Sequence, residues 1–122
     1  MKGTYVLKLR LKKDSRIRVG KLGVIDFKKG LYCYVGSAFG TSTNLDNRIK
    51  RYFKLNKERR GNLKWHIDYF LVSPNVEIVG VTTFDDRIEC KVSRMLEGVS
   101  KASMAGFGCS DCNCKSHFYM FR

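Results

Sequence analysis

The chain has 122 residues and an ordinary apolar fraction, enough for one domain over residues 1–122 with a single core and too apolar for a disordered chain. No apolar run is long enough to span a membrane, and the start lacks the apolar core of a secretory signal, so a cytoplasmic location is expected. The formal net charge of +13 makes a polyanion the expected partner, nucleic acid foremost, and excludes neither a ribosome-docking nor a lipid-docking surface.

Thr4 to Leu11 alternates, with Tyr5, Leu7, Leu9 and Leu11 on one side and Thr4, Val6, Lys8 and Arg10 on the other, the period of a half-buried strand. Lys12 to Ser15 reads as a turn and Arg16 to Val19 as a second short strand. Leu31 to Gly36 reads as a strand with Tyr32 and Tyr34 on one face, and Ser37 to Ser42 as a loop. A helix is predicted to start at Thr43 or Asn44, with Thr43 and Asp46 spaced as a capping box. Leu45, Ile49, Tyr52 and Phe53 form its apolar stripe, and Arg48, Lys50, Arg51 and Lys54 its other side. Asn56 to Asn62 reads as a charged loop, and Trp65 to Leu71 as a short helix or a strand.

Val76 to Phe84 is rich in β-branched residues and reads as a strand. Asp85 or Asp86 is expected to cap a second helix whose buried stripe is Ile88, Val92, Met95, Leu96 and Val99. Gly106 to Lys115 reads as a loop and Ser116 to Phe121 as a last strand. Together these elements predict an α+β fold: a small antiparallel or mixed sheet flanked by helices.

Gly3-Thr4-Tyr5, Tyr34-Val35-Gly36, Arg48 on the first helix and Glu89 at the start of a later one occur in that order. This ordered set resembles the GIY-YIG nuclease superfamily. Tyr34-Val35-Gly36-Ser37-Ala38, Trp65-His66-Ile67-Asp68-Tyr69 and Gly108-Cys109-Ser110-Asp111-Cys112 are most similar to a GIY-YIG-related group frequent in archaea. The resemblance implies a three-stranded antiparallel core with the two motifs on adjacent strands. The longer gap between them then implies an inserted hairpin within residues 12 to 30. It also implies a metal-dependent endonuclease acting on DNA, branched or damaged DNA included. Glu89 would hold Mg²⁺ or Mn²⁺, Arg48 the phosphate, and Tyr5 and Tyr34 the water.

The chemistry suits those residue types. Mg²⁺ takes one or two protein carboxylates and keeps several waters. Arginine presents a planar charged fork to phosphate oxygens. A tyrosine beside cations is expected to have a lowered pKa and to serve as general base, and Tyr5 is the first candidate, with the roles of Tyr5 and Tyr34 interchangeable. His66 is a further proton-transfer or phosphate-contacting candidate. Lys50, Arg51, Lys54, Arg59 and Arg60 are expected to hold the DNA backbone. Each residue also has a structural reading: a core tyrosine, a solvated helix arginine, a packing histidine, a capping glutamate.

Cys109, Cys112, Cys114 and His117 fall within nine residues, and Cys90 stands beside Glu89. Structural Zn²⁺, free buried thiols and a disulfide are all open readings of that cluster. Two rival functions follow: a nucleic-acid-binding module with the same fold and no catalysis, and a zinc-stabilised adaptor that contacts protein.

Overall fold

The computed structural model describes residues 2–39, 44–108 and 116–121. Among the described residues, seven strands and three α-helices follow in chain order. They are β1 Gly3–Leu11, β2 Ser15–Arg18, β3 Val24–Phe27, β4 Gly30–Ala38, α1 Leu45–Glu58, α2 His66–Leu71, β5 Val76–Phe84, α3 Glu89–Val99, β6 Ala102–Ser103 and β7 Phe118–Met120. The fold is α+β. Five strands form an antiparallel sheet in the order β5-β1-β4-β7-β6, and β2 and β3 form a separate two-stranded hairpin. That hairpin occupies the inserted stretch between the two tyrosine motifs, and its Val19 and Phe27 enter the core. No helix among the described residues is long and apolar enough to cross a membrane.

Alternation dictates how β1 is used. Tyr5, Leu7, Leu9 and Leu11 face the main core with α1, α2 and the hairpin, while Lys8 and Arg10 point outward into solvent. The reverse face is buried only at its first end, where Thr4 and Val6 lie near the start of α3. Phe27, Tyr32, Phe70, Phe107 and Phe118 form an aromatic stack inside, with Phe107 and Phe118 4.4 Å apart and nearly parallel.

The helices settle some open readings and correct others. Asn44 caps α1, accepting from the Asn47 N–H at 3.0 Å; Thr43 lies outside the described residues. The helix continues through Glu58 rather than giving way to a loop at Asn56. Phe53 is 46% exposed, and Leu55, four residues after Arg51, takes the inward position instead. The reason is the stripe's drift: Leu45, Tyr52 and Leu55 share one face, and Phe53 is a hundred degrees from Tyr52. Trp65 to Leu71 resolves as helix from His66.

Neither Asp85 nor Asp86 caps α3, whose N-cap residue is Ile88. Thr4 performs the anchoring instead. Its hydroxyl donates to the Asp86 carbonyl at 2.7 Å and accepts from the Ile88 N–H at 3.1 Å, and this fixes where Glu89 begins.

Candidate active site

Register brings the two tyrosines together. Tyr5 on β1 pairs with Gly36 on β4, and Tyr34 pairs with Leu7, so both rings stand on the core face near one end of the sheet, their centroids 6.4 Å apart. Gly36 is required there. A β-carbon at that position would lie 2.2 Å from the Tyr5 hydroxyl and 2.4 Å from its ring. Gly36→Ala is therefore expected to destabilise the fold by about 1–3 kcal/mol, since the buried Tyr5 ring must shift and give up its hydroxyl contact with Tyr52. Urea denaturation checks it.

The rings open onto a polar cavity of about 430 Å³. Tyr5, Tyr34, Arg48, His66 and Glu89 all line it, although they come from β1, β4, α1, α2 and α3. Ser37, Lys64 and Trp65 complete much of the wall.

Arg48 reaches in from the first turn of α1. Its Nη1 donates to the Ser37 carbonyl at 3.3 Å and to the Tyr5 hydroxyl at 3.5 Å. Its guanidinium lies 4.3 Å from the centre of the Trp65 ring, a cation–π contact. Glu89 opens α3. Its Oε1 accepts from the Ser37 hydroxyl at 3.0 Å, and its Oε2 lies 2.9 Å from Nδ1 of the fully buried His117.

His66 Nδ1 accepts the Gly108 N–H at 2.9 Å, which leaves the proton of the neutral ring on Nε2. Burial lowers its pKa, so the neutral form is favoured.

The tyrosines differ from expectation. Burial, reinforced by the neighbouring Tyr52 phenol, holds Tyr5 well above the usual phenol range, and Arg48 opposes this only partly. Tyr34 is raised in the same way, first by burial and then by Tyr52 and Glu89. The expected lowering fails because losing water costs a phenolate more than one arginine returns. Both groups are neutral at rest. Their raised pKa contributes stability that is fully present below the ordinary phenol value of about 10 and is lost as pH climbs beyond it. Ultraviolet titration of the folded protein is expected to show the Tyr5, Tyr34 and Tyr52 phenols ionising above the ordinary phenol range.

Tyr52, read from sequence only as part of a helix stripe, meets Tyr5 hydroxyl to hydroxyl at 2.5 Å. Its place four residues after Arg48 puts both on the inner side of α1, and that spacing was the available signal. Ser37, Lys64 and Trp65 were also missed as site residues. Lys64 and Trp65 are held by a buried carboxylate, Asp68, whose Oδ2 accepts both of their backbone N–H groups at 2.7 and 2.9 Å.

The expected DNA-holding cations divide. Lys50, Lys54 and Arg60 are exposed. Arg51 instead donates to Asp68 at 2.9 and 2.7 Å and to the Asn62 carbonyl at 2.9 Å. Arg59, in the left-handed conformation that ends α1, donates to the carbonyls of Ser73 and Val76 at 2.7 Å each. These two guanidinium groups tie α1 to α2 and to the start of β5, so both are engaged by protein acceptors, although Arg59 is exposed and Arg51 half-buried. Cys90 carries a free thiol, and Cys109, Cys112 and Cys114 lie outside the described residues. Among the described residues no three His, Cys, Asp or Glu side chains gather as a metal cluster, so the cavity offers Glu89 as a lone carboxylate.

A family model described as domain of unknown function DUF123 matches residues 4–122. The chain belongs to this family. The match takes in all five cavity residues named from the sequence, so the site lies within the family's own domain. Comparison with curated proteins and with solved structures returns no match.

Proposed function

We propose that this DUF123 domain is a metal-dependent endonuclease of GIY-YIG type that hydrolyses DNA phosphodiester bonds. One observation carries the reading: Tyr5, Tyr34, Arg48, His66 and Glu89, scattered over more than eighty positions, line a single polar cavity. A core tyrosine, a surface arginine and a capping glutamate have no reason to share a cavity unless they share a task.

Arg48 is the phosphate-binding group, its fork facing the cavity and held by Trp65. His66, with its Nε2 proton, is a neutral donor to a phosphate oxygen. Glu89 suits Mg²⁺ or Mn²⁺: it is one carboxylate at the cavity wall, fixed by the Ser37 hydroxyl, beside space for the waters such an ion keeps. When bound, the ion supplies charge neutralisation at the phosphate and the departing oxygen.

The Tyr5 phenolate accepts the proton of the attacking water as that water's oxygen bonds phosphorus and the opposite ester P–O bond breaks, the departing oxygen taking a proton from solvent; Tyr34 orients the water, and the reverse assignment uses the same two groups. Because both phenols are raised, the ionised fraction at neutral pH is small. Cleavage is expected to speed up about tenfold per pH unit below the ordinary phenol value of about 10. A rate that levels off near neutrality would assign the proton to another group.

The un-ionised state of both phenols also favours a second reading, a nucleic-acid-binding module without catalysis. Incubation with branched and nicked DNA plus Mg²⁺ or Mn²⁺ separates the two. Cleavage by the parent and none by Glu89→Ala supports the nuclease. Tight binding with no cleavage supports the module. In either case Lys50, Lys54 and Arg60 are exposed cations for the DNA backbone, and affinity should fall steeply with salt.

A further inference from the structure

The reverse face of the sheet carries a feature that the cavity does not use. The stripe Ile88, Val92, Met95, Leu96 and Val99 has the spacing of a buried helix face, yet Met95 is 65% exposed and Val99 73%. Ser93 is the residue α3 buries. Its hydroxyl bonds the Ser116 carbonyl and the Tyr119 hydroxyl, both at 2.6 Å, so the helix turns its serine side to β7. The apolar stripe is thereby rotated towards β1 and β5. Between α3 and the sheet it leaves an apolar groove of about 480 Å³, floored by Val6, Cys33 and Phe84. Burial raises the Cys33 thiol, in keeping with a dry floor. Lys8 and Lys91 also line it. The Lys8 stem runs over Gly80, where a β-carbon would be 3.6 Å from its Cδ.

We propose that this groove docks an acidic amphipathic helix of a partner protein. Apolar side chains at i, i+3, i+4 and i+7 of the partner would enter the groove beside Val92, Met95 and Leu96, and its carboxylates would meet Lys8 and Lys91. Three observations choose this occupant. An exposed helix stripe at core spacing marks a surface built to be covered. The groove is a concave, mostly apolar cleft, a shape that takes in a partner's side chains better than it meets a flat lipid surface. Its lysine lining on a chain of net charge +13 favours an acidic occupant and opposes a second copy, which would bring another +13. The unbranched Met95 suits such a surface, since methionine adapts its shape to what it covers.

Fluorescence polarisation at physiological salt tests it. The probe is a labelled helical peptide with leucine at i, i+3, i+4 and i+7 and glutamate elsewhere. Its controls are a scrambled peptide of equal composition and a version with lysine in place of glutamate. The patterned acidic peptide is expected to bind at least about tenfold more tightly than either control. Met95→Ser with Val99→Ser, two exposed and charge-neutral changes, should abolish that preference while circular dichroism stays unchanged. Equal binding of the scrambled peptide, or no binding at millimolar protein, overturns the proposal. So does a wild-type dimer in sedimentation that the double variant converts to monomer, and so does binding to anionic phospholipid vesicles that the double variant alone loses.

Discussion

Asp68→Ala is expected to destabilise the fold by about 2–4 kcal/mol, because it removes a buried acceptor of four hydrogen bonds, two of them from backbone N–H groups. Asp68 is completely buried and accepts four hydrogen bonds: two from the Arg51 fork and one each from the backbone of Lys64 and Trp65. Its loss would leave two backbone N–H groups without their acceptor and would leave the partly exposed Arg51 guanidinium with only the Asn62 carbonyl. Asp68→Asn keeps the shape but turns an amide NH₂ towards at least one of those donors, and an intermediate loss follows. Such sensitivity distinguishes this pair from Arg16–Asp26 or Arg10–Glu77, which lie in solvent and contribute little. Urea midpoints of the two variants measure the order. Midpoints equal to the parent would mean that the Arg51–Asp68 bridge holds nothing together. The loss reaches the cavity too, since Lys64 and Trp65 line it and Asp68 sets where they stand.

Residues whose partners lie nearby in sequence, or whose pattern has a fixed period, were legible. Strand β1, β5 and the start of α1 follow from alternation, β-branched content or a cap, while the inserted hairpin was expected only from the longer gap between the two motifs. Charged residues outside a motif were harder to place, because the same letters serve solvent and interior. Arg51 and Arg59 read as a cationic surface, yet each finds its acceptors 11 to 17 residues away, across a turn no local rule fixes. The α3 stripe misled for a related reason. Helical spacing reports that a face is apolar, and only the packing of Ser93 on Tyr119 decides which face meets the sheet. His117 was read with the cysteines beside it in sequence, whereas the fold sets it against Glu89. The tyrosine pKa values went astray on weighting: alternation already put Tyr5 beside three leucines, but the nearby cations were given more weight than burial, and burial won.

Arg48→Lys is expected to cut DNA cleavage by about 10²–10³-fold while leaving stability within about 1 kcal/mol of the parent. Lysine keeps the charge but cannot present a planar fork, and it stacks less well on the Trp65 ring that now lies 4.3 Å from the guanidinium. The long contacts to Tyr5 and to the Ser37 carbonyl, 3.5 and 3.3 Å, suit a group that turns readily from protein acceptors to a phosphate. The effect should fall on the chemical step rather than on binding, because Lys50, Lys54 and Arg60 still offer charge to the DNA backbone. Lys54→Ala is the complementary variant: weaker binding, a shallower salt slope and an unchanged single-turnover rate. Single-turnover cleavage with protein in excess over DNA separates the two effects. If Arg48→Lys cleaves at the parent's rate, charge alone suffices in the cavity, and the fork held by Trp65 has no part in the transition state.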